Sequence, residues 1–377
     1  MVVAFFSDYL NHHQTPFCEA MRERLGEGFH FVATERVSEM RLKLGYKNLE
    51  DVEYVVRAYE CDESYHEAMR LGYESDVVII GDASDKFIER RLAENKLTFR
   101  YRERYFKKNR WRFHPEAWKS YYHNDIRYRK KNLHMLCASA YTAPDCRFIH
   151  AYPNKIYKWG YFPLVTQIPY EDLVKTKARN NVVRIIWVSR FIKLKHPEEI
   201  IRLARKLKND GMRFKIEMLG IGELREQYEQ IVKDERLSDV VTFTGPFPPS
   251  EVLEHMQQSD IFLFTSDKNE GWGAVMNESM SSACAPVACR EIGSVPYLIE
   301  DGVNGFIYDK HSRNSLYSHV KRLMEDKDLR EMIQKNAYDT MKNVWNAEVA
   351  ADRLLHLINC IQKGTETGYT LGPCSRD

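Results

Sequence analysis

The stretch IFLFTSDKNEGWGAVMNESMSSACAPVAC, residues 261–289, decides the fold. It opens with a short apolar run, passes through a glycine-containing turn into a segment that can start a helix near Ala274, and closes on a second apolar run. Apolar runs without polar alternation indicate strands that are buried on both faces, and such strands pair in parallel. The stretch therefore predicts a strand–helix–strand unit of a parallel sheet.

The same alternation of apolar runs and helical segments continues over nearly the whole chain. In the second half the other runs are VVRIIWVSR (182–190), RFKIEMLG (213–220), VVTFTG (240–245) and GFIYD (305–309). In the first half they are VVAFFSD (2–8), FHFVATE (29–35), YVVRAY (54–59), DVVIIGD (76–82), KLTFRYRE (96–103), HMLCAS (134–139) and RFIHAYP (147–153). Two doubly wound α/β domains are therefore predicted.

The domain boundaries follow from length and composition. A chain of 377 residues is long for a single core. We expect a first domain over residues 1–165 and a second over residues 175–345, joined in the Pro-containing polar stretch at about 161–181. A helix at about 347–363 is expected to pack back on the first domain, and residues 364–377, which lack periodicity, are expected to form a mobile tail.

The bulk composition excludes several classes of protein. The chain is 44% hydrophobic and 29% charged, and its net charge of +2 gives no overall field for a polyanion. No window offers the ~20 apolar residues of a membrane span, and the first residues do not resemble a signal peptide. The eight cysteines are scattered, without a Cys-x-x-Cys pair. We therefore expect reduced thiols, no zinc site and a cytoplasmic location.

Two glutamates, Glu270 and Glu278, flank the glycine-containing turn after the strand at 261–266. In open α/β sheets ligands bind beyond the carboxyl ends of the strands, and the first turn of a helix there suits a phosphate. Carboxylates repel phosphate, so the glutamates are expected to accept hydrogen bonds from hydroxyl groups on either side of it. A nucleotide-diphospho sugar has this layout, with the sugar at Glu270 and the ribose at Glu278. The alternative is an ordinary capped connection between a strand and a helix.

Further residues are expected at the same edge of the second sheet. Arg190 and Lys195 follow the strand at 182–190 and precede a helix that opens with Pro197, so they could hold the diphosphate. The alternative for this pair is two solvated surface cations. Gly222 follows a third strand, and Phe247 follows a fourth, where it could border a base. The predicted donor-binding residues are Gly222, Phe247, Gly271, Trp272, Gly273, Ala274, Val275 and Glu278.

The second half, from about Val182 to Asp309, resembles the retaining family 4 glycosyltransferases of the GT-B fold. The resemblance rests on Glu270-x7-Glu278, on the preceding Arg190 and Lys195, and on the segment GSVPYLIEDGVNGFIYD at 293–309. It implies two Rossmann-like domains that face a central cleft, with the donor held mostly by the second domain. It also implies a metal-independent enzyme without a cofactor, in which Arg190, Lys195 and Glu270 are the catalytic residues.

The resemblance implies a reaction as well as a fold. We expect transfer of a hexosyl group from a nucleotide-diphospho sugar, UDP-linked, to a saccharide or lipid-linked saccharide in surface polysaccharide synthesis. Retention of anomeric configuration is implied by the resemblance alone. The alternatives are a GT-B sugar phosphorylase and a nucleic-acid or polyanion-binding protein.

The first half departs from the family pattern. Members often carry a Gly-Gly loop after the first strand, where this chain has SDYLNHHQTPF (7–17), and many have a histidine after the fifth strand, where it has KLTFRYRERYF (96–106). The acceptor-side candidates are therefore His13, Arg102 and Glu103. An ordinary surface histidine is the alternative for His13.

The segment at 98–131 is basic and rich in aromatic residues. It contains twelve Lys or Arg against three acids. A solvated basic face, a single-stranded nucleic-acid surface and a surface for anionic membranes all have this composition. With a glycosyltransferase of lipid-linked saccharides, the membrane surface has a purpose, and we expect a cytoplasmic protein that lies peripherally on the inner face of the membrane and binds no nucleic acid.

Overall fold

The structure is a computed structural model that describes residues 1–38, 49, 51–107, 112–312 and 314–377. It divides into two compact units. The first unit contains residues 1–164 and 346–377, and the second contains residues 165–345. Both are α/β, as the alternation of apolar runs predicts.

The first unit is built on a parallel sheet whose described strands number seven, in the order β3-β2-β1-β4-β5-β6-β7. Strand β1 lies between β2 and β4, and all five of its residues are buried, as expected of a strand covered on both faces. The strands are β1 Val3–Ser7, β2 Phe29–Ala33, β3 Val55–Arg57, β4 Val77–Ile80, β5 Thr98–Arg102, β6 Leu133–Cys137 and β7 Ile156–Lys158.

Helices cover this sheet and close its core. Phe6, Ile80 and Met135 belong to one buried cluster that also includes apolar side chains of the helices. The described helices are α1 Thr15–Leu25, α2 Asp62–Glu74, α3 Glu89–Ala93, α4 Pro115–Asn124, α5 Thr142–Phe148 and α14 Ala347–Lys363. The last of these packs on α1, where Arg24 forms ion pairs with Glu348 and Asp352 at 2.8 and 2.5 Å.

The second unit has a parallel sheet with six described strands in the order β10-β9-β8-β11-β12-β13. They are β8 Val183–Val188, β9 Phe214–Leu219, β10 Val241–Thr244, β11 Ile261–Phe264, β12 Ala285–Cys289 and β13 Phe306–Tyr308. The helices are α6 Tyr170–Lys177, α7 Pro197–Asn209, α8 Arg225–Asp234, α9 Pro249–Gln257, α10 Val275–Ser281, α11 Val295–Leu298, α12 Ser315–Glu325 and α13 Lys327–Asn343. The central strands β8 and β11 are neighbours, with Ile261 opposite Ile185 and Phe262 opposite Ile186.

The apolar run at 147–153 is not a strand, contrary to the sequence expectation. Helix α5 ends at Phe148, and His150 and Tyr152 have positive φ angles of 56° and 55°, so the chain turns here. Ile149, Ala151 and Tyr152 are nevertheless buried. The run is apolar because it is a buried loop, and the strand β7 follows it at Ile156.

The boundary between the two units falls after residue 164, within the stretch expected to join them. Helix α6, in the stretch expected to be a linker, packs in the second unit, where Leu173 contacts Ala283 and Tyr338. We expected residues 364–377 to be mobile. Instead the last of these residues bond to β7: the Lys158 amide donates to the Ser375 carbonyl and the Cys374 amide donates to the Lys158 carbonyl, both at 2.8 Å.

No helix in the described part of the chain is both long enough and apolar enough to span a membrane. The eight cysteines all lie among the described residues and form no disulfide.

Candidate functional site at the edge of the second sheet

Two loops meet at the carboxyl edge of the second sheet because β8 and β11 are parallel neighbours. Three hydrogen bonds hold these loops together. The Asp267 amide donates to the Leu194 carbonyl at 3.1 Å, and the Thr265 hydroxyl donates to the Lys195 carbonyl at 2.6 Å. The Trp187 indole N–H donates to the Thr265 oxygen at 2.9 Å. The position of Lys195 relative to the turn after β11 is therefore fixed by the fold.

Lys195 and Glu270 form an ion pair at this edge. Their side chains are 12% and 15% exposed, so most of the pair is shielded from water. Both residues were expected here from the sequence, Lys195 as a contact to a diphosphate and Glu270 as a contact to a sugar. The Lys195 ammonium has three N–H donors, so it can keep Glu270 and still donate to an anion.

The turn before α10 depends on Gly273. Its φ of 81° is in the left-handed region, and an added Cβ would lie 2.3 Å from Cζ of Phe264. Glycine is therefore required both for the dihedral angle and for the space. The same Cβ would lie 3.3 Å from Cγ of Glu270, so this backbone lies directly beside the ion pair. The amides at the start of α10, from Ala274 and Val275, have no acceptor one turn earlier within the helix and carry partial positive charge.

The Trp272 side chain lies in the core of the second unit. Its side chain is fully buried, and its indole N–H donates to Oδ1 of Asn277 at 2.9 Å. It packs with Tyr297 and Trp345, with ring centroids 6.2 and 5.9 Å apart. The indole thus anchors the turn in the core, and only the backbone of Gly271 and Trp272 is left to meet a ligand.

Glu278 lies on α10, eight residues after Glu270. Burial raises the pKa of its carboxyl to about 7, because the charged form loses hydration. Near neutral pH this group can therefore either accept or donate a hydrogen bond.

Arg190 is exposed at the end of β8, and no acidic side chain in the described part of the chain forms an ion pair with it. The two glycines after β9, Gly220 and Gly222, lie against the backbone on either side of Arg190. A Cβ on Gly220 would lie 2.0 Å from the Ser189 carbonyl oxygen, and one on Gly222 would lie 2.5 Å from that of Phe191. These glycines allow the loop after β9 to pack on the loop that carries Arg190.

Arg225 joins two further loops at this edge and was not predicted from the sequence. Its guanidinium donates to the carbonyls of Gly220 at 2.7 Å and Gly245 at 3.0 Å. Arg225 occupies the place of the third glycine in a Gly-x-Gly-x-x-Gly pattern, and this substitution was the only signal in the sequence. Beyond Gly245, the Phe247 ring stacks on His255 with centroids 4.8 Å apart.

In the first unit, two of the three acceptor-side candidates meet at Tyr161. The Tyr161 hydroxyl donates to Oε1 of Glu103 at 2.6 Å, while Lys107 pairs with the other oxygen. The His13 ring stacks on Tyr161 with centroids 5.9 Å apart. Burial, followed by the neighbouring His12, lowers the pKa of His13 to about 3, so His13 is neutral. Tyr161 lies in the stretch expected to be a linker and was not predicted.

Arg102 does not join this group. Its guanidinium lies over the Tyr105 ring, 4.2 Å from the centroid. The charge of another cation of the segment at 98–131 is neutralised within the fold, because Arg100 is buried against Asp85 and Asp125, at 2.9 and 3.2 Å. Residues 108–111 of this segment lie outside the described residues. Its charge is therefore in part structural.

Part of the chain is similar in sequence to known glycosyltransferases. Residues 171–340 match the family model described as glycosyl transferases group 1. A D-inositol 3-phosphate glycosyltransferase of Corynebacterium kroppenstedtii is 28% identical over 162 residues, which are 41% of this chain and 36% of that protein. The N-acetylgalactosamine-N,N'-diacetylbacillosaminyl-diphospho-undecaprenol 4-alpha-N-acetylgalactosaminyltransferase of Campylobacter jejuni is 27% identical over 174 residues, 46% of each chain. The chain thus spans less than half the length of these curated relatives.

Solved structures extend the likeness to both units. The Anabaena protein HepE, crystallised in complex with UDP, superposes with a TM-score of 0.72 at 13% identity over 95% of this chain and 100% of its own. A glycosyltransferase from Rickettsia africae superposes with a TM-score of 0.68 at 14% identity over 97% of this chain and 99% of its own. At such identities the likeness shows the fold alone. Residues 171–340, a little less than half of the chain, are thus similar to the group 1 glycosyltransferases, and the two parallel-sheet α/β domains have the GT-B fold.

Proposed function

We propose that the protein transfers a hexosyl group from a nucleotide-diphospho sugar, UDP-linked, to a saccharide or lipid-linked saccharide acceptor, with retention of configuration. The observation that carries this proposal is the shielded Lys195–Glu270 pair beside the Gly273 turn and the start of α10. One side of the pair suits a phosphate and the other suits hydroxyl groups. The crystallised complex of HepE with UDP supports a uridine donor.

In the proposed reaction the bond between the anomeric carbon and the diphosphate oxygen breaks, and the nucleoside diphosphate leaves with the electron pair. The acceptor hydroxyl bonds to the anomeric carbon, and its proton passes to the departing diphosphate. Lys195, Arg190 and the first amides of α10 stabilise the negative charge that develops on the leaving group. Glu270 accepts hydrogen bonds from the transferred sugar, and Glu278 contacts the ribose. Gly222 and Phe247 border the base.

We propose that this reaction needs no divalent metal ion and no cofactor. Two cationic side chains and a helix start already offer positive charge where the diphosphate is placed. Transfer that is unchanged by a chelator would support this proposal, and restoration of lost activity by Mg²⁺ or Mn²⁺ would refute it.

A lipid-linked acceptor and an anionic membrane surface complete the proposal, with the protein lying peripherally on the inner face of the membrane. The large aromatic side chains with exposed surface in the described residues, Phe113 (79%), Tyr122 (56%) and Phe148 (39%), all lie in the first unit. Trp118, which lies between Phe113 and Tyr122 in the sequence, donates to the Arg112 carbonyl at 2.7 Å and lies 6.1 Å from the Phe148 ring. Exposed aromatics among cations suit a lipid interface. The diphospho-undecaprenol saccharide in the name of the Campylobacter relative supports a lipid-linked acceptor, and the name of an E. coli relative, a putative colanic acid biosynthesis glycosyltransferase, supports a role in polysaccharide synthesis.

The test is a donor screen that measures release of nucleoside diphosphate, together with thermal unfolding in the presence of UDP or GDP. A ligand that binds only the native state raises the melting temperature. Stabilisation by UDP and hydrolysis of one UDP-sugar would support the proposal. Stabilisation by oligonucleotides alone, or by phosphate and sugar without nucleotide, would refute it in favour of a nucleic-acid-binding protein or a phosphorylase.

A further inference from the structure

His196 lies between the two loops that form the candidate donor site, and no role has yet been given to it. It directly follows Lys195 and precedes α7, with φ 51° and ψ 54° in the left-handed region. Its Nδ1 lies 2.7 Å from Oε1 of Glu198. Its Nε2 has two neighbours, Oδ2 of Asp267 at 3.3 Å and Nζ of Lys310 at 2.8 Å.

The two neighbours of Nε2 require opposite protonation states of the ring. An Asp267 carboxylate only accepts hydrogen bonds, so it needs a proton on Nε2, whereas the Lys310 ammonium only donates and needs a lone pair there. With Nδ1–H donated to Glu198, the neutral ring can accept from Lys310 and the protonated ring can donate to Asp267. One nitrogen cannot serve both partners at once, so protonation selects the partner.

Asp267 connects this choice to the Glu270 turn. Its carbonyl accepts the Glu270 amide at 2.9 Å, and its Oδ1 accepts the Asn269 amide at 2.9 Å. Its own amide donates to Leu194 in the loop that carries Lys195. A hydrogen bond from His196 to Asp267 therefore adds one more tie between the two loops, at the base of the turn that carries Glu270.

We propose that His196 is a positioning residue that tightens the Glu270 turn when protonated, through Asp267, and releases it to Lys310 when neutral. The proposal rests on the proposed function only in that the turn binds the nucleotide donor. Donor affinity should then depend on pH through a residue that does not itself touch the donor.

The charged groups around His196 set the direction of this dependence. The hydrogen bond to Glu198 on α7 raises the pKa of His196, and burial lowers it. The charge of Lys310 also lowers this pKa, whereas the hydrogen bond to Asp267 raises it. The net effect is a pKa raised above 6.5. Glu198 also accepts from the Tyr228 hydroxyl of α8 at 3.3 Å, and Tyr308 of β13 faces Glu198. Because the pKa is raised, the protonated state prevails below about pH 6.5, its ordinary value, and is lost as the pH rises through the shifted one. As the pH rises, the hydrogen bond from His196 to Asp267 should therefore be lost, and the affinity for UDP should fall.

The test is calorimetric titration with UDP at about pH 6 and about pH 9 on the full chain. Between these two pH values, we expect the Kd of the wild type to increase by a factor about five times larger than that of His196→Asn. This factor is at the low end of the coupling between linked sites. Asparagine tolerates left-handed backbone and does not titrate in this range. His319→Asn is the matched control, since His319 lies in the same unit, stacked on Phe306 away from these loops. It should keep the wild-type pH dependence.

Lys310→Met gives an independent measurement. Because it removes the cation that competes for Nε2, it should raise the pKa of the His196 imidazole followed by NMR, with or without UDP. A pKa that stays unchanged or falls, or a His196→Asn variant with the wild-type pH dependence of UDP binding, would overturn the inference. If the wild type fails to bind UDP at any pH, the proposed donor is wrong, and the imidazole titration still decides whether Lys310 and Asp267 compete.

Discussion

Replacement of Gly273 by alanine tests the geometry of the candidate site with a single methyl group. The added Cβ would lie 2.3 Å from Cζ and 2.8 Å from Cε1 of the buried Phe264 ring. Left-handed backbone costs an alanine about 1–2 kcal/mol, and overpacking a close-packed core costs about 1–3 kcal/mol more. We therefore expect Gly273→Ala to lower the free energy of unfolding by about 2–5 kcal/mol.

Gly302 provides a matched control in the same unit. Its φ of 78° is close to the 81° of Gly273, but the nearest atom to an added Cβ, Cε1 of Phe306, is 3.9 Å away. Gly302→Ala should therefore cost only the backbone term, about 1–2 kcal/mol. Both variants can be measured by urea unfolding, where a change of midpoint at constant m-value reports stability.

Phe264→Leu removes the ring atoms that the new methyl group would meet. Phe264→Leu should lower the free energy of unfolding less in the Gly273→Ala background than in the wild type. A double-mutant cycle should therefore give a favourable coupling energy between the two positions. A Gly273→Ala variant no less stable than Gly302→Ala, or a coupling energy of zero, would refute the steric argument. UDP-induced stabilisation of the folded variants then reports whether the turn also binds the donor.

Three further predictions concern the site and the membrane surface. Lys195→Ala and Glu270→Gln should each abolish sugar transfer while leaving the circular dichroism spectrum unchanged; near-normal turnover in either would exclude that residue from catalysis. Burial raises the pKa of Glu278 from about 4.5 to about 7, so the folded state loses stability as the pH rises above about 4.5, where the carboxyl of the unfolded chain ionises. The stability of Glu278→Gln relative to the wild type should therefore increase from about pH 5 to pH 7, and parallel stability curves would contradict this. Phe113→Ser should weaken sedimentation with anionic vesicles at low salt, with Met332→Ser, an exposed apolar residue of the second unit, as the control; equal binding of both would remove Phe113 from the membrane surface.

The fold was largely predictable because parallel strands buried on both faces appear in a sequence as continuous apolar runs. The apolar runs VVRIIWVSR and IFLFTS each predicted a strand to within two residues of its observed ends. The prediction failed at RFIHAYP, since burial without extended backbone leaves the same apolar composition. It also did not foresee that residues 374–377 bond to β7, a contact between distant parts of the chain that local periodicity does not record.

The candidate site was predictable to the level of loops, not of contacts. Strand ends placed Lys195 and Glu270 on adjacent loops, because neighbouring parallel strands end at the same edge. That the two side chains pair directly depends on side-chain conformations, which a spacing does not encode. Tyr161 and Arg225 were missed for a related reason: each bonds to a residue or carbonyl of another loop, and neither belongs to a periodic pattern.

The contact between Arg225 and the carbonyls of Gly220 and Gly245 has a consequence for how the donor site can diversify. The Arg225 side chain bonds to both loops that border the proposed base position. A substitution that moves one loop should therefore also move the other. Variants selected for a new nucleotide should therefore carry compensating changes on the other side of Arg225. A library that randomises both loops together should yield altered base preference more often than one that randomises them singly.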